Sequence, residues 1–417
     1  MADRDRPELT VEQALEHILA NVAVLSSERV SALDAIGRVL AEPVEADRDI
    51  PPLANSAMDG YAIRSADLSS LPARLQVIGE VAAGYVADIV VEEGQAVRIM
   101  TGASVPAGAD TVVRFEDVRV VSEDVEVLRA PAAGANVRAA GEDVRAGQVV
   151  LRPGVLLRPQ EIGMLAAVGK MTVGVVRRPR VAVLATGDEI VAPDELPGPG
   201  QIRDANSYTV AAEVRLAGGV PMILDIARDR EDLVRRSLRV ALEQGADFIV
   251  TSGGVSVGDF DLVKQVLAAE GEMVFWSVKI KPARPLAFGV IRARPGLLAQ
   301  AIPLLGLPGN PVAALLSMKL FGRPALLKMQ GVTDWAPPLL RARLEQPVLR
   351  KDGRRHFLRV RLRREGSDYA ASLTGDQGSG ILNSMVQADG LAIIPESIGH
   401  LPAGSEVDVI PMSFRMI

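Results

Sequence analysis

The chain has 417 residues, 48% hydrophobic and 24% charged, which is core material for several domains rather than one. It carries no cysteine and only three histidines, so disulfides, a thiol nucleophile and an N/S-ligated zinc site are excluded or disfavoured, and any metal should be hard and oxygen-bound. A formal net charge of −6 makes no electrostatic case for nucleic acid.

Residues Met1–Pro7 are charged and lack an apolar run, so no secretory signal is expected. No unbroken apolar stretch reaches membrane-spanning length, and a cytoplasmic protein with no membrane partner is expected. Val11 to Leu25 has helical periodicity, with Thr10 and Gln13 placed as a capping box. A short segment from Val30 to Leu40 follows. Ile50 to Ala62, with Pro51-Pro52 and Asp59-Gly60, reads as a loop.

Between Leu75 and Leu128 the apolar runs are short and punctuated by Gly and Pro: Leu75–Val81, Ala96–Thr101, Thr111–Arg114 and Val125–Leu128. This spacing predicts a small β barrel or sandwich. Val144 to Leu157 returns the chain to the segment it left near Glu45, and Pro159 to Val168 is helical. The β-rich part is therefore read as an insertion.

After Arg180 strands and helices alternate. Strands are expected at Val181–Ala185, Met222–Ile226, Phe248–Thr251 and Leu304–Leu307, and helices at Ser207–Leu216, Arg230–Leu242, Asp261–Ala269 and Pro311–Phe321. Such alternation predicts a parallel sheet covered on both faces, with ligands bound outside the carboxyl ends of its strands. Four polar loops fall at those ends: Thr186-Gly187-Asp188-Glu189, the segment at Asp229, Ser252-Gly253-Gly254-Val255-Ser256 running on to Asp259 and Asp261, and Pro308-Gly309-Asn310-Pro311. Glycines admit a ligand to the backbone N–H groups, hydroxyls add contacts, and carboxylates suit Mg²⁺. Lys279, Lys281 and Arg284 supply clustered cations. Beyond Lys328 short apolar runs predict a further β domain. Its Gly353-Arg354 and Gly378-Ser379-Gly380 turns can present a cation and a hydroxyl. The residues by themselves point to Mg²⁺-assisted chemistry on a phosphate-bearing small molecule.

The ordered motifs Asn55-Ser56-Ala57-Met58-Asp59-Gly60, Thr101-Gly102-Ala103, Gly141-Glu142-Asp143, Thr186-Gly187-Asp188-Glu189, Thr251-Ser252-Gly253-Gly254, Lys281-Pro282-Ala283-Arg284-Pro285 and Pro308-Gly309-Asn310-Pro311 resemble the molybdopterin molybdenumtransferase (MoeA) family, related to the gephyrin E domain. That resemblance implies an N-terminal helix (1–26) packed on another domain, an elongated domain I (27–50 and 142–177), an inserted β-rich domain II (51–141), a doubly wound α/β domain III (178–327) and a C-terminal β domain IV (328–417).

It further implies insertion of molybdate into adenylylated molybdopterin with release of AMP, Mg²⁺ as cofactor and a homodimer. Molybdopterin adenylyltransferase and molybdoenzyme apoproteins are implied as partners. The catalytic set would be Asp59, Glu142, Asp143, Glu189 and Asp261. Asp59, Thr101, Glu142 and Asp143 would come from the partner subunit. Glu189, Asp229, Asp259 and Asp261 would hold the metal. Thr186, Gly187, Asp188, Ser252, Gly253, Gly254 and Ser256 would cradle the substrate, with Arg138, Lys279, Lys281 and Arg284 offsetting its charge. Pro308, Pro311, Arg354 and Ser379 would shape the molybdate pocket. Three positions depart from the family pattern: Ala283 stands where glycine is usual, Ala313 where serine is common, and Arg203 where an aromatic or similar residue is common. A non-catalytic scaffold of the gephyrin E type and a tungstate-preferring paralogue are the competing readings.

Overall fold

The computed structural model describes residues 8–253, 271–292, 301–350 and 352–412, with positions 265, 267 and 269 in addition. The expected helix at Asp261–Ala269 lies almost wholly outside them. The chain forms two compact units, one of Arg29–Ile36 and Leu40–Gly174, the other of Met1–Glu28, Gly37–Val39 and Val175–Ile417.

The first unit is built on a six-stranded sheet in the order Thr111–Arg114, Gly60–Ile63, Gln95–Ile99, Ala73–Val81, Asp124–Val127, Val118–Val121. All neighbours are antiparallel except Ala73–Val81 and Gln95–Ile99. The loop expected through Ala62 is corrected here, because Gly60–Ile63 is a strand between two others. Its side chains alternate: Tyr61 and Ile63 enter one apolar cluster and Ala62 the other. Gly60 is required for strand contact rather than for a turn, since a Cβ there would sit 2.0 Å from the Val113 carbonyl oxygen. The Val118–Val121 edge strand, unforeseen because it is only four residues long, closes a hairpin on Asp124–Val127. Val149–Leu151 pairs with Val44–Glu45, so the chain does return to the segment it left. Helix Pro159–Ala167 begins with proline in its first turn and with Glu161 accepting the Arg158 N–H at 2.9 Å.

The second unit holds a six-stranded sheet ordered Val220–Ile223, Arg180–Ala185, Phe248–Ser252, Ile302–Leu307, Pro285–Ile291, Gly271–Ser277. The first four strands are parallel, Pro285–Ile291 runs against them, and Gly271–Ser277 pairs antiparallel with it. This corrects the all-parallel expectation. The segment from Ser277 to Pro285 is too short for a crossover helix, so those strands can only meet antiparallel. The strand expected at Met222–Ile226 also starts earlier and ends at Ile223.

Alternation divides the apolar residues between the sheet faces. Val181, Val183, Phe248, Val250 and Leu305 join Val210 and Val214 of helix Asn206–Leu216 in one cluster. Ala182, Leu184, Ile249 and Leu304 join Val234, Leu238 and Ala241 of helix Glu231–Glu243 in the other. Helix Val11–Ala20 carries the expected Thr10–Gln13 capping box but stops five residues early, at Asn21, whose backbone N–H bonds back to Ile18 and Leu19. Its Ala14 and Ile18 enter the first cluster. The helix expected at Pro311–Phe321 continues through a π-turn at Met318–Gly322 into Arg323–Met329. Pro324, without an N–H, sits at that junction.

In the C-terminal sheet, Arg355–Glu365, Asp368–Leu373, Leu340–Leu344, Glu406–Pro411 and Gly390–Ile394 pair in turn, and Gly390–Ile394 pairs back to Arg355–Glu365. The strands thus close on themselves and leave no free edge among the five. Ile280–Lys281 adds to Arg355–His356 from outside. There the buried His356 Nε2 lies 2.7 Å from Asp352, and Lys281 Nζ lies 3.4 Å from the same carboxylate. Burial pushes the His356 imidazole below its ordinary value, against the pull of Asp352. The Asp352 carboxyl, despite partial burial, is held down to about 2 by His356 and Lys281.

Gly60→Ala is expected to destabilise the first unit by about 3 kcal/mol, read as a lower urea midpoint, because its methyl group must displace a ladder carbonyl. The acid response follows from two depressed groups. Wild-type stability should start to fall as pH drops below 6.5, where an unfolded His356 would gain a proton, and fall again below 3.8 as Asp352 is protonated. The Asp352→Asn variant should lack the second fall, so its midpoint difference from wild type should narrow below pH 3.8.

Candidate functional site

The carboxyl ends of Arg180–Ala185, Phe248–Ser252 and Ile302–Leu307 open into a cleft of about 500 Å³. Thr186, Glu189, Arg203, Asn206, Ser252, Gly253, Gly309, Asn310, Pro311 and Gly380 are in its lining. Two close approaches shape it. Thr186 N–H donates to the Ser252 carbonyl at 2.9 Å, and Gly253 follows with φ 85. A Cβ on Gly253 would lie 2.3 Å from the Thr186 carbonyl oxygen, so only glycine fits between the loops. Gly309 packs against the Gly253 Cα. Asn206 Nδ2 donates to the Gly309 carbonyl at 2.8 Å, tying helix Asn206–Leu216 to the loop before Pro311.

Thr186 is 2% exposed, lines the cleft, and its Oγ1 has no partner. A buried hydroxyl without a hydrogen bond costs roughly 1–3 kcal/mol, and a ligand oxygen would satisfy it. Pro311 occupies the first helical turn, as the sequence predicts, and Asn310 takes the cap position but makes no side-chain cap bond. The residue lines the cleft. The C-terminal turn contributes Gly380, and the Ser379 carbonyl accepts the Val312 N–H at 3.1 Å. Pro308 is buried at the end of its strand. Gly254, Ser256, Asp259 and Asp261 lie outside the described residues.

Beside the cleft, Asp188 Oδ1 accepts the Asp229 backbone N–H at 3.3 Å, and Arg228 Nη1 donates to the Asp188 carbonyl at 2.6 Å. Desolvation and then the charges of Asp188 and Glu189 raise the Asp229 carboxyl above its ordinary value. Gly187, with φ 149, keeps the turn tight against Glu189.

The cations foreseen for this site lie elsewhere. Lys281 pairs with Asp352, Arg284 pairs with Glu8, and neither they nor Lys279 line the cleft. Lys281 instead lines a second cleft of about 470 Å³ with Arg350, Asp352, His356, Arg359 and Gln377. Arg354 lines neither. Arg359 was not foreseen. It is 1% exposed, donates to Ser384 Oγ at 2.9 Å and to the Asp376 and Gly378 carbonyls, and leaves Nη1 unpartnered. It thereby shapes the Gly375–Gly380 turn. Ala283 has φ 86, a left-handed conformation that suits the glycine it replaces. Ala313 is 2% exposed and packed in the core.

In the other unit, one backbone segment gathers the remaining candidates. Residues 50–60 bond successively to 100–105 and to 136–144. Ser56 N–H donates to Ala103 O, Gly102 N–H to Ser56 O, Gly141 N–H to Pro51 O and Asp143 N–H to Ile50 O. Asn55 pairs with Arg138. Asp59 Oδ1 accepts from the Thr101 backbone N–H at 2.7 Å and from Thr101 Oγ1 at 2.8 Å, and these bonds hold its carboxyl below the ordinary value. Glu142 accepts the Ala139 N–H at 3.0 Å. Asp59, Thr101, Arg138, Glu142 and Asp143 are all exposed. Among the described residues no three His, Cys, Asp or Glu side chains are grouped to hold a metal, and no helix is long and apolar enough to cross a membrane.

Three family models match the chain in succession: the MoeA N-terminal region (domain I and II) over residues 9–169, a probable molybdopterin binding domain over 182–328, and the MoeA C-terminal region (domain IV) over 341–412. A molybdopterin molybdenumtransferase of Nostoc sp. is 36% identical over 394 residues, covering 93% of this chain and 89% of that protein. One from Haemophilus influenzae is 33% identical, covering 97% and 99%. The crystal structure of a molybdopterin biosynthesis MoeA protein from Pyrococcus horikoshii superposes with a TM-score of 0.81 at 33% identity, covering 98% of this chain and all of that one. With this identity sustained over nearly the full length of both sequences, and the N-terminal, molybdopterin-binding and C-terminal regions in the same order, the chain belongs to the molybdopterin molybdenumtransferase family.

Proposed function

We propose that the chain inserts molybdenum from molybdate into molybdopterin, taking the adenylylated pterin as substrate and releasing AMP. The observation that carries this reading is the 500 Å³ cleft at the strand ends, a volume suited to an organic substrate, with glycine backbone in its lining and, at its edge, the buried and unpartnered Thr186 hydroxyl. Ser252, Gly253 and the Gly309–Pro311 turn hold the phosphate-bearing part, and Thr186 donates its hydroxyl to a ligand oxygen. Gly254 and Ser256, outside the described residues, keep the phosphate-cradling role that the motif implies.

Transfer at a phosphoanhydride needs charge stabilisation more than covalent help from the protein. Mg²⁺ fits the donor set by its chemistry. Asp188, Glu189 and Asp229 are hard oxygen donors, and a divalent cation would offset the Asp229 carboxyl's desolvation as well as the charges of Asp188 and Glu189 beside it. Asp259 and Asp261, outside the described residues, are the further metal-binding carboxylates that the motif implies. A Mg²⁺ ion held by one or two carboxylates and water supplies neutralisation of phosphate charge. Lys281, which lines the second cleft of about 470 Å³ with Arg350 and Arg359, offers a basic surface suited to the oxyanion.

Asp59, kept ionised by Thr101, acts together with Arg138, Glu142 and Asp143 as a second group. In a homodimer that group completes the site of the partner subunit. A cytoplasmic location suits a route that passes a labile product from molybdopterin adenylyltransferase to apoenzymes.

The direct test incubates the purified protein with adenylylated molybdopterin, Mg²⁺ and molybdate or tungstate, and measures AMP release and cofactor formation. Oxyanion-dependent AMP release is expected; its absence removes the proposed reaction. Glu189→Gln should lower turnover at least about a hundredfold, with the melting temperature unchanged because the side chain is exposed. Asp59→Asn should do the same. Mixed dimers assembled from the two inactive variants should regain turnover, and failure to do so would show that the two groups act within one chain.

A further inference from the structure

The cleft contains acidic groups and backbone donors, so a phosphate entering beside Glu189 gains from a cation fixed by the protein. Among the described residues that line it, Arg203 is the one cation. Lys281 and Arg284 are engaged with Asp352 and Glu8, and Arg228 is turned to the Asp188 carbonyl. Arg203 is free of any carboxylate. Its Nε donates to the Glu195 carbonyl at 3.0 Å, and its two Nη groups have no partner among the described residues.

Its backbone is fixed on both sides. Ile202–Arg203 pairs in parallel with Ile190–Val191, Ile202 N–H donates to the Glu189 carbonyl at 2.8 Å, and Asp204 N–H donates to Val191 O at 2.9 Å. Asp204 Oδ1 in turn accepts the Ser207 N–H at 3.0 Å at the start of helix Asn206–Leu216. The side chain therefore starts from a rigid support, and its Nε bond leaves the planar Nη pair as unused donors. Such a fork matches two oxygens of one phosphate.

We propose that Arg203 is the phosphate-binding residue of this cleft and that the group it takes is a nucleotide phosphate ester. This rests on the reading of the cleft as the substrate site and adds the contact that sets its charge. The volume decides between anions. A tetrahedral oxometalate alone would leave most of 500 Å³ unfilled, whereas an organic phosphate fills a space of this size.

The test measures binding of AMP, inorganic phosphate and molybdate to the full chain by calorimetry, in wild type, Arg203→Gln and Arg203→Lys. AMP affinity should fall about tenfold to a hundredfold in Arg203→Gln, in line with the loss of charge-assisted hydrogen bonds. Arg203→Lys, which keeps the charge without the fork, should lie between. Molybdate binding should be unchanged in both. In turnover, KM for the adenylylated pterin should rise with kcat largely retained, and thermal unfolding should match wild type because the side chain is exposed. Wild-type AMP affinity in Arg203→Gln overturns the proposal while leaving the reaction intact. Loss of molybdate rather than AMP binding overturns it by reassigning the residue to the oxyanion. A wild-type protein that binds no AMP removes both this contact and the nucleotide reading of the cleft.

Discussion

The cleft exists because two strand-end loops approach closer than any side chain allows. At Gly253 a single missing Cβ lets the chain pass 2.3 Å, measured from where that atom would stand, from the Thr186 carbonyl oxygen. The Gly309 turn packs on the same Cα, and Asn206 ties that turn to the neighbouring helix. Remove this approach and the Ser252, Thr186 and Asn310 groups separate. The parallel order of three adjacent strands matters for the same reason, since it brings all their carboxyl ends to one edge.

Around that edge the charges are divided. Asp188, Glu189 and Asp229 carry the negative charge, and burial, followed by the charges of the other two, raises the Asp229 carboxyl. The cations that the sequence clusters at Lys279–Arg284 are drawn off into ion pairs with Asp352 and Glu8. The antiparallel hairpin explains this. By placing Pro285–Ile291 beside Ile302–Leu307, it sends the connecting Ile280–Lys281 segment to the C-terminal sheet, where it pairs with Arg355–His356. Arg203, on a short strand pair of its own, is left facing the cleft. In the other unit a different economy holds. One stretch, residues 50–60, bonds to two distant segments, and five exposed polar side chains depend on its backbone.

Much of this was legible beforehand. Apolar strands of the α/β part, the Thr10–Gln13 cap, Pro311 at a helix start and the polar loops at strand ends all follow from local rules of periodicity, capping and chirality. The motifs in order carried the family, and the comparisons agree with it. The misreadings have physical causes. Asp59-Gly60 looks like a turn because glycine usually marks one, but Gly60 is there to admit the Val113 carbonyl. The antiparallel edge was missed because it depends on the length of a connection, not on the composition of a strand. Arg359 was missed because a buried arginine is recognisable only by the carbonyls that surround it.

By itself, the sequence determined most strands and helices of the α/β part, which chemistry is excluded by the absence of cysteine, and which family's motifs stand in which order. These depend on neighbours along the chain. Tertiary structure alone decided which cation reaches the cleft, which hydroxyl is buried without a partner, and which carboxylates crowd one another. Those properties arise from contacts between residues far apart in sequence, and no local pattern encodes the distance between them.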